Sequence, residues 1–165
     1  MRRIFGFPNP VNEVAARVVA TGVVLAAVTE LATGWRWILV VLAYGFWARV
    51  LTGPTLSPLG RFATQVAAPR LPFPPKYVAG APKRFAQGIG AAFSTLALLA
   101  WLAGAPVVAD ALIGMLVVAA SLEALLGYCL GCRIFALLMK VGVIPERVCV
   151  ECADISARLS AARTP

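Results

Sequence analysis

Residues 107–127 read VVADALIGMLVVAASLEALLG, a run in which Asp110, Ser121 and Glu123 are the only polar side chains. At about 1.5 Å of rise per residue, a helix of this length crosses the roughly 30 Å hydrocarbon layer of a bilayer. A core helix of a soluble domain would carry a polar stripe at the 3.6-residue period, and this run has none. Residues 14–33, 35–52 and 85–103 have the same character. The expected fold is an all-α membrane protein: four transmembrane helices in one domain spanning 1–165, in contact with the lipid bilayer.

Composition agrees. Of 165 residues, 61% are apolar and 13% charged, far from the roughly 25% charge of a soluble domain. The start, Met1-Arg2-Arg3 before an apolar run, superficially resembles a signal peptide. The run is long for one and more spans follow, so a retained first span is expected. Trp35, Trp37, Trp47 and Trp101 fall near span ends, where interfacial aromatic belts form.

Charge placement predicts orientation. Lys+Arg number 15 against 7 Asp+Glu. Arg49, Arg61, Arg70, Lys76, Lys83 and Arg84 crowd residues 49–84 without an acid, and more basic residues follow Tyr128. Basic residues in short loops resist translocation, so both termini are expected in the cytoplasm, with the chain in the cytoplasmic (inner) membrane. Topology and anionic headgroups then account for the excess charge, and nucleic acid is not an expected partner, since the basic loop lacks interleaved aromatics.

The cytoplasmic loop, expected over 53–84, holds seven of the twelve prolines, which rule out a continuous helix across it. Within it Ser57 and Pro58 suit the N-cap and first position of a short helix reaching about Val66. The stretch GPTLSPLGR there reads either as a docking or anion-binding element or, preferably, as an ordered connector held to headgroups by Arg61 and Arg70.

The chain has no histidine, which excludes imidazole-based triads and His-ligated zinc, iron or haem. All four cysteines lie near the C-terminus as two C-x-x-C pairs, Cys129/Cys132 and Cys149/Cys152, separated by sixteen residues. That spacing fits a tetrathiolate zinc site formed by Cys129, Cys132, Cys149 and Cys152. It fits equally a working dithiol. On the cytoplasmic side, persistent disulfides are not expected. Gly127 ends the fourth span and a short helix over 133–141 ends at Gly142, so Cys129 and Cys132 fall at a helix N-terminus. The macrodipole and Arg133 would favour a Cys129 thiolate, with Cys132 resolving. For the second pair, Pro145 opens an expected amphipathic C-terminal helix to about Ala162, in which Glu146 and Glu151 disfavour thiolates.

Charged residues inside spans are candidates for function. Glu123 and Arg17 sit at matching depth and are expected to pair, fixing helix packing in preference to serving as a proton relay. Glu30 and Asp110 are expected only to mark helix ends. Small-residue pairs Ala16/Ala20, Gly22/Ala26, Gly88/Ala92 and Ala91/Thr95 would close a four-helix bundle or a homodimer.

The run GYCLGCRIFALLMKVGVIPERVCVECADIS, with GPTLSPLGR and GAPKRFAQGIG upstream, resembles an uncharacterised family of bacterial, largely actinobacterial, integral membrane proteins catalogued as a domain of unknown function. The similarity covers about 49–156. It marks Gly-Tyr-Cys-x-Gly-Cys, here Gly127 to Cys132, as the hallmark and places the second pair in only a subset of members. It also implies gene neighbourhoods rich in thioredoxin-like proteins and sulfurtransferases. The expected function is a membrane-embedded relay of electrons or sulfane sulfur with such a cytosolic partner: Cys129 and Cys132 react, and Cys149 and Cys152 pass on what they receive. The alternatives are a structural subunit clamped by zinc and a small transporter component.

Overall fold

The computed structural model describes residues 7–145 and 148–149. Its frame is helical: α1 Glu13–Thr33, α2 Trp37–Thr52, α3 Pro58–Phe62, α4 Ala68–Arg70, α5 Gly80–Leu102, α6 Pro106–Leu126 and α7 Leu130–Lys140. A π-helical turn, Ala63–Ala67, joins α3 to α4. Among the described residues the one addition is a two-residue antiparallel ladder, β1 (Val11–Asn12) with β2 (Tyr77–Val78), which straps the N-terminal segment to the residues preceding α5.

Among the described residues three helices, α1, α5 and α6, are long and apolar enough to cross a membrane, with mean hydropathies of 1.8, 1.5 and 2.0. The second apolar stretch is shorter than expected. Its helix begins at Trp37 and has 16 residues, about 24 Å at 1.5 Å each, because Trp35 and Arg36 turn the corner after Gly34, which caps α1 in the left-handed conformation at φ 69°. The helices are apolar on the faces they leave open as well as on those they bury. Leu25, Val40, Leu99, Val107, Val118 and Leu126 are all exposed, as on helices clothed by lipid tails.

The core is an internal seam of Val19, Val23, Ala27, Leu39, Phe46, Ala91, Ala97 and Ile113. Within it α2 packs chiefly on α5, and α1 on α6. A Cβ on Gly90 would meet the Phe46 ring at 2.2 Å, and one on Gly22 would meet Leu59 at 2.6 Å. Gly22 thus admits α3, whereas Gly88 has open space around it.

Two differences from the expected layout matter. The loop after α2 ends at Ala79 rather than residue 84, and α5 runs through Pro82, Lys83 and Arg84. Pro82 is the third residue of α5, where a missing amide donor leaves no intrahelical bond unmade. Glu30 and Asp110 do more than mark helix ends. Arg36 Nη1 donates to Glu30 Oε1 at 2.7 Å and also to Asp110, joining α1 to α6 at the end of the bundle remote from the cysteines. The expected C-terminal helix over 145–162, with Cys152, lies outside the described residues.

Ser57 caps α3 as expected, its Oγ accepting from Gly60 N at 3.2 Å, with Pro58 first in the helix. Helix continues through the π turn to Arg70, beyond the expected stop near Val66.

Candidate functional site

α6 stops at Leu126, and Gly127 takes a left-handed conformation (φ 66°) that a side chain would strain. The chain reverses through Tyr128, and α7 starts at once with Cys129 as its N-cap. Cys129 Sγ accepts from Cys132 N at 3.4 Å, and the two sulfurs are 2.7 Å apart. They therefore sit well within reach of a disulfide, which needs about 2.05 Å. Both thiols are free and partly buried.

Gly131 is what lets α7 bring them here. A Cβ on it would lie 2.5 Å from Ala86 Cβ and 2.6 Å from Ala86 Cα, so α7 lies directly on the backbone of α5. Buried Phe135 holds the next turn, its ring meeting Phe85 edge-on at 5.6 Å. The two glycines of the motif differ in role, for Gly127 turns the chain and Gly131 seats the helix.

The same contact brings an ion pair beneath the thiols. Lys83 Nζ donates to Glu123 Oε1 at 2.5 Å, with both side chains largely buried. The expected Arg17–Glu123 pair does not form. Arg17 instead donates to Ala124 O (3.1 Å) and Leu125 O (2.7 Å), the unpaired carbonyls at the negative end of α6. Arg133 does not serve Cys129 either; its guanidinium lies over the Tyr128 ring at 5.1 Å. The cation whose field reaches Cys129 is Lys83.

The two thiols are driven apart in acidity. The Cys132 thiol, donating to the Cys129 sulfur, holds the Cys129 thiol below its ordinary value; Lys83 helps, while burial and Glu123 oppose. Cys132 is pushed strongly upward by the same hydrogen bond, with burial adding to it. Cys129 is thereby the more acidic of the two thiols, and Cys132 the one that keeps its proton longer. Replacing Cys132 with alanine removes the donor, so the Cys129 thiol rises. Its iodoacetamide alkylation rate near pH 7 should fall severalfold, with the midpoint of the rate–pH curve moving to higher pH. An unmoved midpoint would refute the assignment.

Among the described residues no group of three or more His, Cys, Asp or Glu converges, and Cys152, one of the four ligands of the expected zinc site, lies outside them. Cys149 is buried and disulfide-bonded, which departs from the expectation of reduced, metal-bound or only transiently oxidised cysteines.

Lys83 and Arg49 are the residues that sequence reasoning missed. Both fall among the loop charges by sequence, and both are buried, at 7% and 6% exposure. The signal was present: Gly80 and Pro82 are compatible with a helix's first turn, which moves the start of α5 ahead of Lys83.

A family model described as Domain of unknown function (DUF4395) matches residues 11–140. The matched stretch includes Cys129 and Cys132 and ends before Cys149. No curated protein and no solved structure matches the chain.

Proposed function

We propose, from the premise that this chain belongs to that family of unknown function, that Cys129 and Cys132 form a thiol–disulfide exchange centre that passes electrons or sulfane sulfur between the membrane protein and a soluble thioredoxin-like or sulfurtransferase partner. The observation that carries the reading is the pair itself: two free sulfurs 2.7 Å apart at the start of α7, one hydrogen-bonded as acceptor and the other as donor.

In the exchange, the Cys129 thiolate attacks one sulfur of the partner's disulfide. That S–S bond breaks, a mixed disulfide forms at Cys129, and the departing partner thiolate takes up a proton. Cys132, giving up its proton, then attacks Cys129 Sγ and releases the partner's second thiolate. Two electrons have moved to the partner, and Cys129–Cys132 is a disulfide. A dithiol partner drives the same steps in reverse. With a persulfide partner, Cys129 instead takes the outer sulfur, and the partner leaves as its thiol.

The reading includes the membrane placement: α2 acts as a fourth, shorter span, both termini are cytoplasmic, and the thiol end faces the cytosol of a bacterial inner membrane. Arg61, Arg70 and Lys76 on the segment between α2 and α5 support it, being exposed on that end.

Trapping tests it. Cys132→Ser, mixed with an oxidised thioredoxin-like protein, should accumulate a covalent adduct that dithiothreitol dissolves. Cys129→Ser should give none. In membrane vesicles the adduct should form when the cytoplasmic face is outward and not in the opposite orientation. No adduct with Cys132→Ser, or an equal yield with Cys129→Ser, would overturn the exchange reading; an adduct only in the opposite orientation would overturn the placement.

A further inference from the structure

Beside the thiols, and separate from them, lies a cavity of about 240 Å³ between α1, the ends of α2 and α3, and the start of α5. Its walls are mostly apolar, with Phe7, Pro10 and Val19 among them, and Arg49, Lys83 and Gln87 are among its polar members.

Arg49 is the anomaly. Its Nε donates to Gln87 Oε1 at 2.7 Å, its Nη1 donates to Ser57 Oγ at 3.3 Å, and its guanidinium lies 4.6 Å from the Phe46 ring centre. Nη2 is buried with no hydrogen-bond partner. Among the described residues no carboxylate pairs with Arg49, whereas Lys83 is matched by Glu123. Arg49 therefore brings to the lining a positive charge without a carboxylate partner and one buried nitrogen without a hydrogen bond. Buried charges are ordinarily paired, since an isolated one carries a large desolvation cost. Three neutral groups position this guanidinium at a cavity wall, and none of them neutralises it.

We propose that this cavity binds a singly charged oxyanion carried on a small apolar body, with Arg49 Nη2 donating to the anion and the apolar wall of α1 and the N-terminal strap enclosing the rest. The one unbonded nitrogen of Arg49 suits an acceptor oxygen, and its unmatched charge suits a monoanion. The volume admits a body of only a few carbons, or the headgroup end of a larger amphiphile. The ligand chemistry is common to a short free carboxylate and to the phosphodiester of an anionic lipid entering from the bilayer.

The experiment uses the full chain, stripped of lipid in a non-ionic maltoside detergent, and follows its thermal unfolding. Hexanoate is the free monoanion, hexan-1-ol its neutral counterpart, and phosphatidylglycerol in nanodiscs, against phosphatidylcholine, the lipid source. A saturable rise of several degrees is expected with hexanoate, with phosphatidylglycerol, or with both, and which of them acts identifies the source. Arg49→Met should abolish the rise. Ala16→Leu, which fills the cavity and keeps the charge, should also abolish it, and it decides the matter should Arg49→Met fail to fold. No rise with either anion, an equal rise with hexan-1-ol, or a rise that survives Ala16→Leu or Arg49→Met would overturn the proposal.

Discussion

Lys83→Met is expected to destabilise the protein by about 3–5 kcal/mol, the usual consequence of removing one partner from a buried ion pair and leaving the other's charge uncompensated. Glu123 has no second cation within salt-bridge distance to turn to; among the described residues its one ion-pair partner is Lys83. Removing both charges together in Lys83→Met/Glu123→Leu should recover most of the loss, because two apolar side chains in that seam carry no desolvation cost. Denaturant or thermal unfolding of the single and double variants measures this directly, and a double variant no better than Lys83→Met would refute a compensating pair. Lys83→Met also has a chemical signature. With the ammonium gone, Cys129 keeps the hydrogen bond from Cys132 but loses a favourable charge and retains an opposing one from Glu123. Its thiol must rise, so alkylation near neutral pH should slow. In the double variant both charges are absent, and the rate should return toward that of the unaltered protein.

Gly131→Val should be nearly as damaging, for a steric reason. Overpacking a core ordinarily costs about 1–3 kcal/mol when neighbouring side chains can shift. Here the nearest atoms are Cα and Cβ of Ala86, fixed to the α5 backbone and unable to rotate away. α7 must lift off α5, taking the Phe85–Phe135 contact and the positions of both sulfurs with it. The expected result is a loss at or above the top of that range, together with rapid, unselective alkylation of Cys129 and Cys132. Gly88→Ala on α5 is the control. Nothing lies within 4 Å of its added Cβ, so it should be neutral or stabilise by up to about 1 kcal/mol through helix propensity. Equal losses at the two positions would show that steric contact at Gly131 is not what matters.

The apolar runs made the helices legible, because a span without a polar stripe has few other ways to fold. Gly127 and Gly142 marked the bounds of the cysteine-bearing helix, and Ser57-Pro58 the start of α3, since each signal is local. What sequence did not disclose was which partner each buried charge chose. Arg17 and Glu123 lie at equal depth, but depth carries no information about helix rotation, and the carbonyls of Ala124 and Leu125 were stronger attractions for Arg17 than a carboxylate facing α5. On one continuous helix Glu123 and Cys129 would fall on different faces, but α6 ends at Leu126, and the reversal at Gly127 returns the cysteines toward α5. Arg49 was hidden for a related reason. A basic residue at the end of an apolar run reads as an interfacial anchor, and only the approach of α5 and the Ser57 turn encloses it.

Lys83 borders two neighbourhoods at once, the cavity beside Arg49 and the sulfurs at the head of α7. An electrostatic influence carried by one ammonium runs equally in both directions. A negative charge brought beside that ammonium opposes a thiolate at Cys129, and a thiolate at Cys129 opposes the negative charge by the same amount.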